Sequence, residues 1–101
     1  MVCCMPGSEN SKTIMFYVYI LESEKNGNLY IGYTRDLKKR VGEHNCGLNF
    51  STKPYLPWKV IYYEACIDEK DARRREKYLK TSQGRRMVKL RLKEYFYNKK
   101  F

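Results

Sequence analysis

Between residues 16 and 34 the apolar and polar positions alternate with a period of two, the repeat of a strand with two distinct faces. In Phe16 to Glu22, FYVYILE, the positions Phe16, Val18 and Ile20 fall on one side and Tyr17, Tyr19 and Leu21 on the other. The aromatic and β-branched content agrees with a strand. Asn26-Gly27 is a strong hairpin signal, so this strand is expected to pair antiparallel with Leu29 to Thr34. There Leu29, Ile31 and Tyr33 alternate with Tyr30, Gly32 and Thr34, which takes Tyr30 off the main apolar face and lets it share a face with Tyr19.

After Thr34 the period changes. Asp36 is a candidate N-cap and Gly47 a candidate stop, with Leu37 and Val41 one turn apart between them, as in a helix docked on a sheet. The polar segment LNFSTKPYLP, with two prolines, separates this helix from a third strand, Trp58 to Cys66. Asp68-Glu69 then open a helix through Lys70 to Ser82 with an inward stripe of Ala72, Glu76 and Leu79. Gly84 is read as a break. Arg85 to Tyr97 restarts the pattern as a last helix with Met87, Leu90 and either Tyr95 or Phe96 inward. Residues 1–14 have no period and the composition of a mobile tail, so the pattern places one domain at 15–97, with a short tail at 98–101. Met15 opens the first periodic segment, and translation starting there would cost no element.

At 101 residues the chain suits a single soluble α/β domain and is too short for two. Its net charge of +10 is uneven: six Lys/Arg against five Asp/Glu in residues 1–50, and fifteen against six in residues 51–101. A polyanion is the natural partner. Nucleic acid is favoured over a membrane, because the basic half lacks a continuous hydrophobic face to insert, although solvated helix faces are the simpler explanation of such charge. Cys3, Cys4, Cys46 and Cys66 fit no zinc-knuckle or CxxC spacing and read as free thiols of a reducing cytoplasm. No apolar run reaches transmembrane length and no signal peptide is evident.

The candidate chemistry gathers between Leu29 and Gly47. Tyr30 on a strand, with Arg40 and His44 one turn apart on the next helix, can converge. Glu76 is out of place on an apolar stripe, where a carboxylate needs a cation or donors to compensate it. It is either salt-bridged, with Arg73, Arg75 and Lys80 in reach, or it faces a site. The long 48–57 loop is either a substrate contact or a simple connection. Candidate phosphate contacts are Lys53 in that loop and Arg73, Arg74, Lys80, Arg85 and Arg86 beyond it. The chain has no Gly-rich phosphate loop, no HExxH and no paired Asp/Glu motif.

Taken together, Tyr17-Val18-Tyr19, Tyr30-Ile31-Gly32, Arg40, His44-Asn45 and Ala72, Glu76, Leu79-Lys80 resemble the GIY-YIG nuclease family, in particular its small excinuclease C subunit-like members. The resemblance runs from Met15 to about Leu92. It implies an α/β (α+β) fold with a three-stranded antiparallel sheet flanked by helices, and metal-dependent cleavage of DNA phosphodiesters that is selective for DNA structure and linked to repair or recombination. A non-catalytic nucleic-acid-binding module is the alternative. Carried over by residue, Tyr19 and Tyr30 match the two motif tyrosines, Arg40 the helix arginine, His44 a position held by tyrosine or histidine, and Glu76 the metal-binding carboxylate, for Mg²⁺ or Mn²⁺. On that basis Tyr30 is expected to be the general base, Arg40 the phosphate ligand, and His44 and Tyr19 supporting groups. Two motif positions depart from the family: Tyr17 replaces the opening glycine, and Tyr33 stands where excision-repair members have lysine. The C-terminal asparagine of some members has no clear counterpart.

Overall fold

The alternation at residues 16–34 is what forms the sheet. The computed structural model describes residues 14–98. It contains β1 (Phe16–Ser23), β2 (Leu29–Thr34), α1 (Leu37–Asn45), a short 3₁₀ turn (Lys53–Tyr55), β3 (Trp58–Cys66), α2 (Glu69–Leu79), α3 (Ser82–Arg91) and α4 (Lys93–Asn98). The sheet is antiparallel in the order β2-β1-β3. This is the three-stranded sheet with flanking helices that the resemblance implies. Gly27 turns the β1–β2 hairpin at φ +78°, a conformation that costs glycine little.

The two faces of β1 build two cores. Val18 and Ile20 join Ile31, Ala72, Leu79 and Val88 under α2 and α3, with Phe16, Leu29, Ile61 and Met87 packed around them. Tyr19 and Leu21 join Trp58 on the opposite face, against Tyr30, Leu37, Val41 and Leu56. Fully burying aliphatic side chains such as Ile20, Leu21 and Leu79 contributes about 1.5–3 kcal/mol each. Ile20 pairs with Tyr62 and Leu21 with Val60, so Ile61 is an extra residue that bulges β3.

Caps set the ends of the helix that carries the site. The Asp36 side chain accepts from the Lys39 N–H at 3.1 Å, and Gly47 leaves α1 at φ +78°. Asn45, at the last turn, grips the start of β3: its Nδ2 donates to the Trp58 carbonyl at 2.9 Å and its Oδ1 accepts from the Trp58 N–H at 2.7 Å.

The C-terminal region differs from the sequence reading. Gly84 does not break a helix; it lies buried inside α3, where an added Cβ would collide with the Tyr78 carbonyl oxygen and the Leu79 backbone. The break falls earlier, at Lys80-Thr81, where the Thr81 hydroxyl accepts from the Gly84 N–H at 3.0 Å as the N-cap of α3. With Gly84 pressed onto α2, Val88 one turn later becomes the buried residue and Leu90 is turned out to 68% exposure. The expected single helix is two, α3 and α4, separated at Leu92. The Tyr95 hydroxyl of α4 donates to the carboxylate of buried Glu22, which docks this helix on β1. The expected tails lie, apart from Ile14 and Asn98, outside the described residues, as do Cys3 and Cys4. Cys46 and Cys66 are free thiols. No helix among the described residues is long and apolar enough to cross a membrane.

Candidate active site

Tyr19 and Tyr30 do share the second face of the hairpin, with ring centroids 6.4 Å apart. Tyr19 is opposite Gly32 in the β1–β2 register, and its phenol crosses directly over that glycine, leaving no space for a Cβ. Gly32 is therefore needed by Tyr19, not by a turn. From α1, His44 packs edge-on against Tyr30 with centroids 4.9 Å apart, and Tyr30 also meets Trp58 at 6.2 Å.

His44 is fully buried and bonded at both nitrogens. Its Nε2 lies 3.0 Å from the Tyr19 hydroxyl and its Nδ1 2.9 Å from Thr52 Oγ1. The directions follow from the end of the chain. The Thr52 hydroxyl has the Asn49 carbonyl, which can only accept, 3.4 Å away. Thr52 thus sends its proton there and accepts the Nδ1–H of His44, which leaves Nε2 to accept the proton of Tyr19. Burial, and after it the charge of Arg40, push the His44 imidazole below its ordinary value, so it is neutral at physiological pH. Burial also drives the Tyr19 phenol up to about 12, although Arg40 beside it pulls the other way. Tyr19 therefore keeps its proton and donates it to His44.

Arg40 is half-buried and bonded to Glu43 at 3.0 Å, an ion pair that raises its already high value. Its charge also acts on both phenols. Two strands and one helix thus bring together Tyr19, Tyr30, Arg40 and His44, the four residues singled out in the sequence. Thr52 was not among them. The only sign of it was the Ser/Thr content of the 48–57 loop, and no spacing rule connects a loop hydroxyl to a helix imidazole eight residues earlier.

Glu76 sits at the edge of the α2 stripe, between fully buried Ala72 and Leu79, with its own side chain 19% exposed. Both sequence readings meet in it: Lys80 Nζ lies 3.0 Å from its Oε2, while its charge is felt at the Tyr19 phenol. Among the described residues no group of three or more His, Cys, Asp or Glu could hold a metal ion. The donor set suits a hard ion carried by one carboxylate with water and phosphate oxygens, as Mg²⁺ is commonly held, rather than a cage of nitrogen and sulfur ligands. A cavity of about 450 Å³ opens beside Glu76, lined by Lys70, Arg73, Arg74 and Lys77.

The six basic residues expected to meet phosphate fall in three places. Arg73 and Arg74 line the Glu76 cavity but are bonded to Glu69 and Asp71, and Lys80 is taken by Glu76. Arg85 lines a second cavity near the hairpin turn with Lys89, and Arg86 next to it is exposed. Lys53 is exposed in the loop beyond α1, its stem alongside Gly47. Tyr33, in place of a lysine, bonds Glu69 at 2.8 Å and carries the Arg73 guanidinium 4.4 Å above its ring, so a cation still stands over this position.

A UPF0213 protein of Streptococcus agalactiae is 41% identical over 75 residues, which is 73% of this chain and 82% of that protein. One from Clostridium perfringens is 41% identical over 68 residues, covering 65% and 71%. One from Staphylococcus saprophyticus is 36% identical over 75 residues, covering 73% and 90%. No solved structure matches the chain. A model of the GIY-YIG catalytic domain matches residues 15–91, from the start of β1 to the end of α3, and the chain belongs to the GIY-YIG family of nuclease domains.

Proposed function

We propose that this protein is an endonuclease that hydrolyses phosphodiester bonds in DNA with the help of a divalent cation, Mg²⁺ or Mn²⁺, held by Glu76. The observation that carries this reading is the convergence of two phenols, a guanidinium and a neutral imidazole on one face of the hairpin.

Hydrolysis needs a water stripped of a proton, cover for the phosphoryl oxygens, and help for the departing oxygen. Arg40 binds the scissile phosphate through its planar fork. Tyr19 stays protonated, which excludes it as the base and makes it a donor that orients the site. The phenolate form of Tyr30, packed edge-on against His44, receives the proton of the attacking water and becomes the phenol. As the water oxygen bonds to phosphorus, the bond to the 3′ oxygen breaks with its electron pair. Glu76 would hold the divalent cation, whose charge would stabilise that departing oxygen. His44 accepts the hydrogen bond of the protonated Tyr19 and fixes the orientation of the pair. Repair or recombination structures are the natural setting for such cutting.

A second reading draws on the Glu76–Lys80 ion pair, which occupies the carboxylate as it would in a domain that binds nucleic acid without cutting it. Labelled single-stranded, duplex, flap and branched DNA, and RNA, incubated with Mg²⁺, Mn²⁺ or EDTA separate the two. Cutting that requires the cation and disappears in Glu76→Ala and Arg40→Ala is the expected result. Binding with no cutting under any condition would establish the non-catalytic module instead.

A further inference from the structure

The segment after α1 ends in the most exposed of the large hydrophobic residues described. Phe50 is 92% exposed and Leu48, two residues before it, is 72% exposed. They are not on a slack loop. Between them the Asn49 side chain accepts from the Ser51 N–H at 3.0 Å, the Ser51 hydroxyl at 2.7 Å and the Thr52 N–H at 3.3 Å, closing a tight polar turn. The turn is rooted in the site by Thr52, which is buried under His44 and whose carbonyl accepts from the Trp58 indole at 2.8 Å. Further along, the Tyr55 carbonyl accepts from the Ser23 hydroxyl at 2.6 Å and the Pro54 carbonyl from Lys25 at 3.2 Å, which fastens the loop to the hairpin. A ring held out into water by so many bonds forgoes burial worth about 1.5–3 kcal/mol.

We infer that Phe50 is a stacking platform for an unpaired base of the nucleic acid whose backbone lies over Tyr30 and Arg40. The preferred substrate then carries an unstacked nucleotide beside the cut, as a single strand, flap or branch does. This rests on the site being one for nucleic acid, and it adds the shape of the substrate to that reading.

The patch itself selects the occupant. The ring, with exposed Leu48 before it and Asn49, Ser51 and the Lys53 cation close by in sequence, offers an aromatic face, polar groups and a charge for the adjoining phosphate, which matches a single nucleotide. A stable protein interface buries about 800 Å² on each partner with a hydrophobic centre, and one phenylalanine and one leucine on a polar turn do not supply it. Aromatic stacking also tolerates any base, so the platform sets the shape of the substrate and not its sequence.

The test uses the full chain in EDTA, so that nothing is cut. The probes are a DNA hairpin with a single-stranded flap carrying 2-aminopurine at the first unpaired position, and a continuous duplex of the same length. Wild type is expected to change the 2-aminopurine fluorescence on binding and to prefer the flap. Phe50→Ala should lose that change and weaken flap binding about tenfold while duplex binding stays as in wild type; Phe50→Trp should restore both. Because the ring is exposed, both variants are expected to melt as wild type does. Phe50→Ala with wild-type flap affinity and fluorescence overturns the stacking platform while leaving the nucleic-acid site standing. Wild type that binds neither probe overturns both. Sedimentation in which Phe50→Ala separates a dimer of wild type would make the ring a contact between copies and overturn the inference.

Discussion

His44 Nδ1 and Thr52 Oγ1 lie 2.9 Å apart, both fully buried, and this contact fixes which nitrogen of the imidazole faces Tyr19. Thr52→Val keeps the shape and removes the acceptor. An orphaned buried N–H costs about 1–3 kcal/mol, which denaturant unfolding should show. If the site cleaves, kcat should fall with KM little changed, because the imidazole is then free to turn its proton toward Tyr19. Thr52→Ser should restore both stability and rate. A valine variant as stable and active as wild type would mean that the threonine only fills space.

Burial first, and the Arg40 charge second, hold the His44 imidazole below its ordinary 6.5. As pH falls, the unfolded chain binds a proton at this position before the folded chain does, which favours unfolding. The stabilisation is complete above about 6.5 and is lost between there and the lower folded value. The thermal midpoint should therefore fall between about pH 7.5 and about pH 5.5, and fall less in His44→Gln. Equal falls in the two proteins would place the titrating group elsewhere.

Alanine in place of a helical glycine ordinarily stabilises a protein by about 0.5–1 kcal/mol. Gly84→Ala should do the reverse, since the added methyl meets the Tyr78 and Leu79 backbone, and a loss of about 1–3 kcal/mol is expected from such overpacking. Gly32→Ala should also destabilise, and through a different neighbour: it displaces the Tyr19 phenol. A Tyr19→Ala background, which removes the ring that the added methyl would meet, should soften the Gly32→Ala penalty and leave that of Gly84→Ala unchanged. Unfolding curves for the single and double variants provide the check.

If Glu76 holds a divalent cation as proposed, Lys80, 3.0 Å from its Oε2, competes for the same carboxylate. Lys80→Gln removes the competitor and should tighten Mn²⁺ binding to the substrate-free protein, measured by the loss of the free-ion electron paramagnetic resonance signal. Glu76→Ala should abolish that binding. Mn²⁺ affinity untouched by either change would move the metal away from α2.

The sheet and the heart of the site could be read from the chain because their signals are local. Strict alternation fixed which way Tyr19 and Tyr30 point, Asn26-Gly27 marked the hairpin, and Asp36 with Gly47 bracketed the helix bearing Arg40 and His44. Elsewhere the deciding contact was distant in sequence. Gly84 looks like a helix breaker unless one knows that α2 presses against it, and the rotation it imposes is what exchanges Leu90 for Val88 at the core. Thr52 is one hydroxyl among several in a polar loop until the loop folds back under His44. Glu76 was ambiguous because a carboxylate on an apolar stripe reads the same whether it pairs with Lys80 one turn on or acts through its charge on Tyr19.

The grip of Asn45 on Trp58 reaches beyond the site. β3 is an outer strand of the sheet, and such strands invite another chain to extend the ladder. Trp58 has its N–H and its carbonyl both engaged by one side-chain amide, which imitates the pairing a neighbouring strand would offer. An incoming strand therefore finds the first rung of β3 already filled, and the same amide that anchors α1 guards this margin of the sheet against aggregation.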